Sequence, residues 1–232
     1  MPVAIITGAS KGLGRALAAA LAGRGWDLVL DARSAGPLRS AAEDIWAGGS
    51  RVTALPGDVT DAAHRADLVA AARALGGLDL LVNNASALGS EPLVRLDALP
   101  VAGLRAALET NAVAPLALVQ EALVLLRECG GSVLSVSSDA AVEAYPTWGG
   151  YGASKAALDQ LSAVLAQEEP GLRVWWVDPG DLRTDLYTAA VPEDDSSGRP
   201  LPESAVPALL GLIDGAAPSG RYSVPALQAA LR

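Results

Sequence analysis

The sequence is poor in the residues that usually build disulfides, metal centres and histidine-based acid–base sites. Cys129 is its one cysteine and His64 its one histidine, in 232 residues. One cysteine excludes an intramolecular disulfide framework and gives no metal-ligand spacing, so we predict no metal site. Cys129 is therefore interpreted as a small, buried or partly buried apolar residue.

Long apolar runs are also missing. No run reaches the roughly 20 residues that a transmembrane helix needs, and the N-terminus lacks the charged and apolar regions of a secretory signal. The formal net charge of −9 argues against electrostatic binding of nucleic acid. We therefore expect a soluble cytoplasmic protein that binds neither a membrane nor a nucleic acid.

Short apolar runs alternate with longer stretches rich in alanine and leucine. A chain of 232 residues that is 51% hydrophobic suits one large domain, here residues 1–232. Strands are predicted at 3–7, 27–30, 51–55, 78–82, 132–136, 172–177 and 221–224. Helices are predicted at 13–24, 38–46, 61–75 (capped by Thr60 or Asp61), 99–128, over the segment that begins at Tyr151, and at 203–214. This alternation predicts an α/β fold, a single doubly wound Rossmann domain whose parallel sheet of about seven strands has helices on both faces.

The stretch "TGASKGLG" (7–14) lies between the first predicted strand and the first helix, where a doubly wound fold binds a dinucleotide. Gly8 would allow the tight turn, Gly12 would let the backbone approach a pyrophosphate, and Gly14 would permit close helix–strand packing. The free N–H groups of the helix N-terminus would face the phosphates. The alternative is a glycine-rich turn that only reverses the chain.

The same stretch also fits a different catalytic motif. Residues 8–12, "GASKG", match the G-x-S-x-G elbow that carries the nucleophile of α/β-hydrolases, which would make Ser10 a nucleophile. That mechanism needs a histidine, and His64 lies in the polar stretch "DAAHRAD". We interpret His64 as a solvated helix residue, so a serine hydrolase remains a remote alternative.

A tyrosine and a lysine stand four residues apart in "YGASK" (151–155), at the start of a helical run. Positions i and i+4 share one face of a helix, so Tyr151 and Lys155 should point the same way. Taken alone, the pair is more simply a surface or core contact without consequence.

Seven motifs, in order and at the right spacing, resemble those of the short-chain dehydrogenases/reductases of the classical type. They are "TGASKGLG" (7–14), "GDV" (57–59), "NNA" (83–85), "TNAVAP" (110–115), "SVSS" (135–138), "YGASK" (151–155) and "DPGDLRT" (178–184). The resemblance covers nearly the whole chain. Two residues depart from the family pattern: Ser86 stands where a glycine usually follows "NNA", and Asp178 where an asparagine often precedes "PG". Neither departure replaces a reacting group.

The resemblance implies four catalytic residues: Asn111, Ser138, Tyr151 and Lys155. Tyr151 would be the general acid in carbonyl reduction or the base in alcohol oxidation, and Ser138 would hydrogen-bond the carbonyl oxygen. Asn111 would anchor a water chain that leads to Lys155. A tyrosine active near neutral pH needs a pKa shift of roughly three units, about 4 kcal/mol. A cation at ~4 Å with an effective dielectric constant of ~20 supplies about that much, so Lys155 is expected to lower the pKa of Tyr151.

The resemblance also implies a nicotinamide dinucleotide cofactor. Asp58 would accept a hydrogen bond from the adenine, and Thr184 would lie near the carboxamide. For Asn83, bracing of the central sheet is an equal alternative to cofactor contact. The full set of implied cofactor contacts is Gly8, Ser10, Lys11, Gly12, Leu13, Gly14, Arg33, Asp58, Val59, Asn83, Ala85, Tyr151, Lys155, Pro179, Gly180 and Thr184.

The end of the second strand, "LVLDARS", bears on the choice between NADP(H) and NAD(H). Aligned on the family pattern, Ala32 occupies the position of the acid that binds the ribose 2′-hydroxyl, and Arg33 follows it. With Lys11 as a second cation facing a 2′-phosphate, NADP(H) is expected over NAD(H) by at least about tenfold, roughly 1.4 kcal/mol, with the preference lost in an Arg33→Ala, Lys11→Ala double variant. A shift of one position in the alignment would place Asp31 on the ribose and reverse the preference.

The substrate is expected to be a small or medium carbonyl compound or alcohol, such as a ketone, diketone or quinone-like carbonyl, with walls at Tyr145, Trp148 and Leu186. Two stretches, "LVLDAR" and "QEEPGLRV", resemble sepiapterin reductases and related dicarbonyl reductases, but "SGRYSVPAL" lacks an evident acid to bind a pterin.

Residues 187–202 are interpreted as a surface loop, and 185–202 as a mobile lid over the substrate. The resemblance further implies a homodimer or homotetramer. The alternative on the same fold is a non-catalytic sensor that binds the cofactor.

Overall fold

The computed structural model describes residues 1–45, 49–215 and 217–230. Its strands are β1 (Val3–Ile6), β2 (Asp27–Ala32), β3 (Val52–Pro56), β4 (Leu80–Asn83), β5 (Ser132–Val136), β6 (Arg173–Asp178) and β7 (Gly220–Ser223). Its helices are α1 (Gly12–Ala22), α2 (Ala35–Ile45), α3 (Ala62–Leu75), α4 (Val101–Leu108), α5 (Ala114–Cys129), α6 (Gly149–Glu168), α7 (Asp185–Ala190), α8 (Val206–Asp214) and α9 (Val224–Ala230).

The strands form one seven-stranded sheet in the order β3-β2-β1-β4-β5-β6-β7. Every pairing is parallel. Outward from β1 the strands follow the chain order β1, β2, β3, and outward from β4 in the other direction they follow the order β4, β5, β6, β7. The strand order therefore reverses between β1 and β4, which is where an open α/β sheet forms its binding crevice. The predicted α/β fold with a parallel sheet of about seven strands is confirmed.

Alternate residues of each strand are buried on opposite faces of the sheet. Ala4 and Ile6 of β1 pack on one side with α1 and α8, whereas Val3 and Ile5 pack on the other with α3 and α5. Because both faces are covered, the strands read as continuous apolar runs rather than alternating ones. The two cores fix the sheet between its helical layers and so fix the ends of the strands that carry the site.

The predicted helices are present, but several of their bounds differ from the predicted ones. The third helix is capped by Asp61, whose side chain accepts from the Ala63 N–H at 2.9 Å, one of the two predicted caps. The predicted helix 99–128 is interrupted by a π-helical turn at Glu109–Val113. Trp46, the predicted end of the second helix, lies outside the described residues.

The interpretation of 187–202 as a surface loop is wrong for its first part. Helix α7 continues to Ala190, which is buried in an apolar cluster with Leu88, Ala140 and Tyr151. The backbone N–H of Leu93 also donates to the Ala190 carbonyl at 3.1 Å. These contacts order the segment, because burial of alanine and leucine offsets the weak helical tendency of its polar residues.

Candidate active site

A cleft of about 990 Å³ opens along the carboxyl ends of the strands, at the point where the strand order reverses. Residues after β2 and β3, including Arg33 and Asp58, line one side of it. Residues after β5 and β6, including Ser138, Tyr151 and Thr184, line the other. The cleft therefore brings together most of the site residues predicted from the sequence: Gly8, Ser10, Lys11, Gly12, Leu13, Arg33, Asp58, Val59, Ala85, Ser138, Tyr151, Lys155, Pro179, Gly180 and Thr184.

The glycine-rich turn between β1 and α1 needs glycine at Gly8, where φ is +65°. A Cβ atom there would lie 2.9 Å from the Cα of Ala85. The turn is braced from β4 by the Asn84 side chain, whose Nδ2 donates to the carbonyls of Thr7 at 2.8 Å and Gly8 at 3.1 Å. Gly14 does not line the cleft. It lies against Asn84, whose Nδ2 would be 2.5 Å from an added Cβ.

The structure fits a dinucleotide at this turn. Helix α1 begins with extended backbone at Lys11 and has no side-chain cap, so its first N–H groups are left for an outside acceptor. Gly12 adopts φ +58° at the entrance to the helix, and the space beside it is open except for the Thr184 side chain, which would be 3.6 Å from an added Cβ. Free amides at a helix N-terminus, beside a backbone without side chains, suit a pyrophosphate.

Asn84, to which the sequence analysis gave no role, lines the cleft where Asn83 was one of the expected cofactor contacts. Asn84 lines the cleft, whereas Asn83 is buried at the end of β4 and lines a separate small cavity beside α5. Of the two alternatives for Asn83, the structure places it within the sheet rather than on the cofactor side. Successive strand residues point to opposite faces, so the sequence alone could not decide which asparagine faces the cleft.

Asp31 and His64 form a buried pair beside the predicted ribose end of the cleft. His64 Nε2 lies 2.6 Å from Asp31 Oδ1, and His64 and Asp31 are 9% and 1% exposed. The other Asp31 oxygen accepts a long hydrogen bond from the Gly8 N–H at 3.4 Å. Burial raises the pKa of Asp31, and the contacts with His64 oppose that rise. The interpretation of His64 as a solvated residue is wrong, because Gly57 has no side chain and leaves room for the imidazole against β3.

The two cations proposed to face a 2′-phosphate do not behave alike. Arg33 is exposed on the cleft wall, near enough to Asp58 to help lower the pKa of that carboxyl, whose chief stabilising contact is the Thr60 N–H. Lys11 instead pairs with Asp185 at the start of α7, Nζ to Oδ2 2.7 Å. An exposed pair of this kind holds the lysine weakly, so the expectation that Lys11 joins Arg33 at a 2′-phosphate stays a prediction.

Tyr151 and Lys155 lie in the first two turns of α6 and face the same way, as predicted. Lys155 Nζ is 5.6 Å from the Tyr151 ring centroid and donates to the Val136 carbonyl at 2.7 Å. Tyr151 and Lys155 are 6% and 1% exposed. Burial raises the pKa of Tyr151 to about 12 and lowers the pKa of Lys155 to about 8. The expectation that Lys155 lowers the tyrosine pKa is thus overturned for the protein's own groups, because removal of water disfavours both charged forms.

Ser138 stands directly after β5 and is held by contacts from the far end of the chain. Its hydroxyl donates to Asp139 Oδ1 at 3.0 Å, and its carbonyl accepts from Arg221 Nη2 at 2.9 Å. Arg221, in β7, also bonds Asp159 through Nε at 3.0 Å, and Asp159 accepts from the neighbouring Ser137 hydroxyl. Arg221 and Asp159 therefore connect Ser138 to α6, one turn beyond Lys155, and neither was predicted from the sequence.

Asn111 does not line the cleft; it is fully buried in the π-helical turn. Its amide donates to the Ala87 carbonyl and the Ser154 hydroxyl, both at 2.8 Å, and Oδ1 accepts from the Ala87 N–H at 2.8 Å. The side chain thus joins the β4 loop to α6. Pro115, four residues later, has no N–H, so the Asn111 carbonyl has no α-helical donor. The carbonyl thus lacks the i+4 partner of an α-helix, whereas the side-chain amide is engaged by Ala87 and Ser154.

Comparison with known proteins agrees with this site. A family model described as short chain dehydrogenase matches residues 2–195. The chain belongs to the short-chain dehydrogenase/reductase family. It is an oxidoreductase with a fold that binds a nicotinamide cofactor.

Individual relatives of this short-chain dehydrogenase/reductase include enzymes with named activities. Sepiapterin reductase of Mus musculus is 35% identical over 201 residues, 81% of this chain and 77% of that protein. An uncharacterized oxidoreductase of Saccharomyces cerevisiae is 35% identical over 187 residues, 79% of this chain and 72% of that protein. An alcohol dehydrogenase of the archaeon Thermococcus sibiricus, complexed with 5-hydroxy-NADP, superposes with a TM-score of 0.87 at 27% identity, covering 96% of this chain and 95% of that one.

The part of the cleft that is predicted to hold the substrate of this short-chain dehydrogenase/reductase is aromatic and acidic. Tyr145, Trp148 and Leu186 line the cleft, and the Trp148 and Tyr151 rings meet edge to face at 5.7 Å between centroids. The Tyr145 hydroxyl lies within hydrogen-bonding distance of the Glu143 carboxylate at 3.0 Å and the Asp139 carboxylate at 3.1 Å. Helix α7 completes this wall, so the segment predicted as a lid does border the cleft.

Cys129 is not among the residues that line the cleft. Cys129 is exposed, contrary to the expectation that it is buried or partly buried, and its sulfur accepts from the Leu78 N–H at 3.3 Å. The described residues contain no group of three or more His, Cys, Asp or Glu placed to hold a metal ion. Within the same residues, no helix combines the length and apolar character that crossing a membrane requires.

Proposed function

We propose that this protein reduces a ketone, diketone or quinone-like carbonyl with NADPH, and that Tyr151 is the proton donor. The observation that carries the proposal is the convergence of Tyr151, Lys155 and Ser138 on one cleft whose opposite wall fits a dinucleotide. In that arrangement a carbonyl oxygen meets two hydroxyls, while its carbon faces the cofactor side. The nicotinamide, when bound, supplies the hydride in reduction and accepts it in alcohol oxidation.

The protein's own residues would perform the polar part of the reaction. Ser138, on turning its hydroxyl from Asp139, and Tyr151 would donate hydrogen bonds to the carbonyl oxygen, and Tyr151 would then transfer its proton as negative charge develops there. Its pKa near 12 favours the protonated acid, so the resulting phenolate needs stabilisation. Lys155, which is also on α6, has a pKa of about 8 and therefore keeps most of its charge at pH 7. It is the cation that would stabilise the phenolate. Water held by the Asn111 carbonyl would supply a new proton by way of Lys155, so that the Tyr151 hydroxyl is restored.

The preference for NADPH over NADH is supported by the state of Asp31. An acid that binds the ribose hydroxyls must present a free carboxylate, but Asp31 is buried and both its oxygens are engaged, by His64 and the Gly8 N–H. Ala32 at the usual acidic position has no charge. Arg33 remains as the exposed cation on that wall, suited to a bidentate contact with a phosphate.

The serine hydrolase alternative receives no support from the geometry. His64 uses one ring nitrogen to contact Asp31, and its Nδ1 would be 2.2 Å from a Cβ added at Gly57. His64 also does not line the cleft that holds Ser10, so it is not placed to activate that serine. The sensor alternative predicts cofactor binding without turnover, which the activity assay distinguishes.

The activity is tested by mixing the protein with NADPH and a panel of diketones, quinones and pterin-like carbonyls, following the loss of nicotinamide absorbance. Tyr151→Phe should abolish turnover and keep the cofactor affinity, because the ring remains and the proton is lost. Tyr222→Phe is the matched control, since the Tyr222 hydroxyl bonds the Pro218 carbonyl and the residue does not line the cleft. Turnover of Tyr151→Phe at the wild-type rate would exclude the mechanism.

The cofactor preference is tested by comparing kcat/KM for NADPH and NADH. The wild-type protein should prefer NADPH by at least about tenfold, roughly 1.4 kcal/mol. Arg33→Ala should remove most of that preference, and Lys11→Ala should reduce it less because Lys11 pairs with Asp185. Arg39→Ala, an exposed arginine of α2 outside the cleft, is the control. Equal use of NADH by the wild-type protein would contradict the proposal.

A further inference from the structure

Ser86, in the loop after β4, has a buried hydroxyl that lacks a hydrogen-bond partner among the described residues. The residue lines the cleft together with Ser138 and Tyr151. Leaving a buried hydroxyl without a partner is unfavourable, so such a group in a binding cleft points to a partner that arrives with the reaction.

The backbone on both sides of Ser86 is fixed. The Ala85 N–H donates to the Thr7 hydroxyl at 3.0 Å, and Ala87 exchanges two hydrogen bonds with the buried Asn111 side chain. These anchors come from opposite sides of the loop, β1 and the π-helical turn. The Ser86 backbone is therefore fixed before any ligand binds, which limits the positions that its hydroxyl can take, as preorganisation requires.

Ser86 and Tyr151 line the same cleft, and the Ser86 hydroxyl is close enough to the phenol to affect its pKa. Burial raises the tyrosine pKa, and the hydroxyls of Ser86 and, to a smaller extent, Ser138 oppose that rise. The Ser86 oxygen is thus near the phenol without meeting hydrogen-bond geometry in the structure. The other charged groups around the phenol are Lys155 on α6 and two acids that disfavour the phenolate, Asp139 and Asp178.

Ser138 is less free to serve the phenolate than Ser86. Its hydroxyl already donates to Asp139 and accepts from the Ala140 N–H at 3.2 Å. The Ser86 proton has no such commitment. We propose that the Ser86 hydroxyl donates a hydrogen bond to the Tyr151 oxygen as the phenolate forms, which makes Ser86 a further catalytic residue. This inference rests on the proposed role of Tyr151 as the proton donor.

The first test is a titration that needs no substrate. Protein labelled with [ζ-¹³C]tyrosine and saturated with NADP⁺ is titrated by NMR, and the Tyr151 resonance is identified by its loss in Tyr151→Phe. Ser86→Ala should raise the Tyr151 pKa by about one unit, since one donor to the anion is lost. Ser86→Thr keeps the hydroxyl and should restore the value.

The second test is the pH profile of alcohol oxidation with NADP⁺, where the phenolate is the base. At a pH below the Tyr151 pKa, Ser86→Ala should lower kcat about tenfold, with the two rates converging at higher pH. Ser90→Ala is the matched control: Ser90 is the other buried serine of this loop without a partner among the described residues, but it does not line the cleft. It should change neither readout.

Three results separate the possibilities. An unchanged Tyr151 pKa in Ser86→Ala overturns the inference, and weaker NADP⁺ binding with that unchanged pKa would assign the hydroxyl to the cofactor instead. Full turnover in Tyr151→Phe would refute the proposed function itself. An inactive Tyr151→Phe with a wild-type Ser86→Ala pH profile would leave the function standing and refute the role of Ser86 alone.

Discussion

Removal of the His64 imidazole should destabilise this protein more than its place in a polar helix suggests. His64→Ala leaves the Asp31 carboxylate, 1% exposed, with only the 3.4 Å hydrogen bond from Gly8. Breaking a buried pair by removing one partner costs about 3–5 kcal/mol, and a lost hydrogen bond to a charged group about 1.5–3 kcal/mol. The 2.6 Å contact therefore predicts a loss of about 3 kcal/mol in the free energy of unfolding, or roughly 6–12 °C in Tm.

A double-variant cycle separates the pair from the loss of packing. Asp31→Asn removes the charge that needs a partner, so Asp31→Asn, His64→Ala should be more stable than His64→Ala alone. Thermal and urea unfolding, followed by tryptophan fluorescence, measure all four proteins. Arg15→Ala, which breaks the exposed pair with Asp44, is the control and should cost less than about 1 kcal/mol. A double variant less stable than His64→Ala would refute the reasoning.

The cost of His64→Ala should also depend on pH. Burial already raises the Asp31 pKa, and loss of His64 raises it further because the histidine contacts oppose the rise. The folded carboxyl then binds its proton at a higher pH than the unfolded one, near ~4. The free energy of unfolding of the variant therefore falls as pH rises through the Asp31 pKa of the folded protein. The difference in that free energy between His64→Ala and the wild-type protein should narrow as the solution is acidified. A gap that widens on acidification would contradict this sign.

Three further predictions concern the catalytic half of the cleft. Gly152→Ala places a Cβ 2.4 Å from the Ala140 carbonyl oxygen and should lower kcat about 100-fold by displacing the Ser138 turn. Gly211→Ala in α8, which has open space around it, should keep the activity and raise the free energy of unfolding by up to about 1 kcal/mol. Arg221→Ala should lower kcat about tenfold with a small change in KM. Arg221→Lys should not restore kcat, because a lysine cannot contact two groups with one planar fork. A wild-type kcat in either variant would refute the positioning role of Arg221. Limited proteolysis within 185–202 should slow when NADPH and substrate are both present, and unchanged cleavage would argue against closure of this segment.

The fold followed from features that are local in sequence. Apolar runs of four to six residues, each followed by a helical stretch, are enough to specify the parallel sheet, and the glycines of "TGASKGLG" mark the first crossover. The Tyr151–Lys155 pair was equally accessible, because a spacing of four on a helix fixes a shared face. These signals need no knowledge of distant contacts.

The contacts that the sequence did not reveal join residues that are far apart in the chain. His64 looked solvated because its neighbours are polar, while its partner Asp31 lies 33 residues earlier on another strand. Arg221 and Ser138 are 83 residues apart. The pKa of Tyr151 depends on how much water is excluded around it, which only the packed structure determines. Local pattern thus identified the reacting groups, and tertiary packing decides their environment.

The position of β7 has a consequence for synthesis on the ribosome. The glycine-rich turn, Tyr151 and Lys155 all precede it, and the sheet from β3 to β6 can pair before residues 220–223 have emerged. Arg221 reaches Ser138 and Asp159 only after that strand docks beside β6. Because domains fold as the chain is made from its N-terminus, a nascent chain arrested before β7 should already bind nucleotide yet turn over substrate slowly, so cofactor binding and full catalytic competence would arise at different times in the life of one molecule.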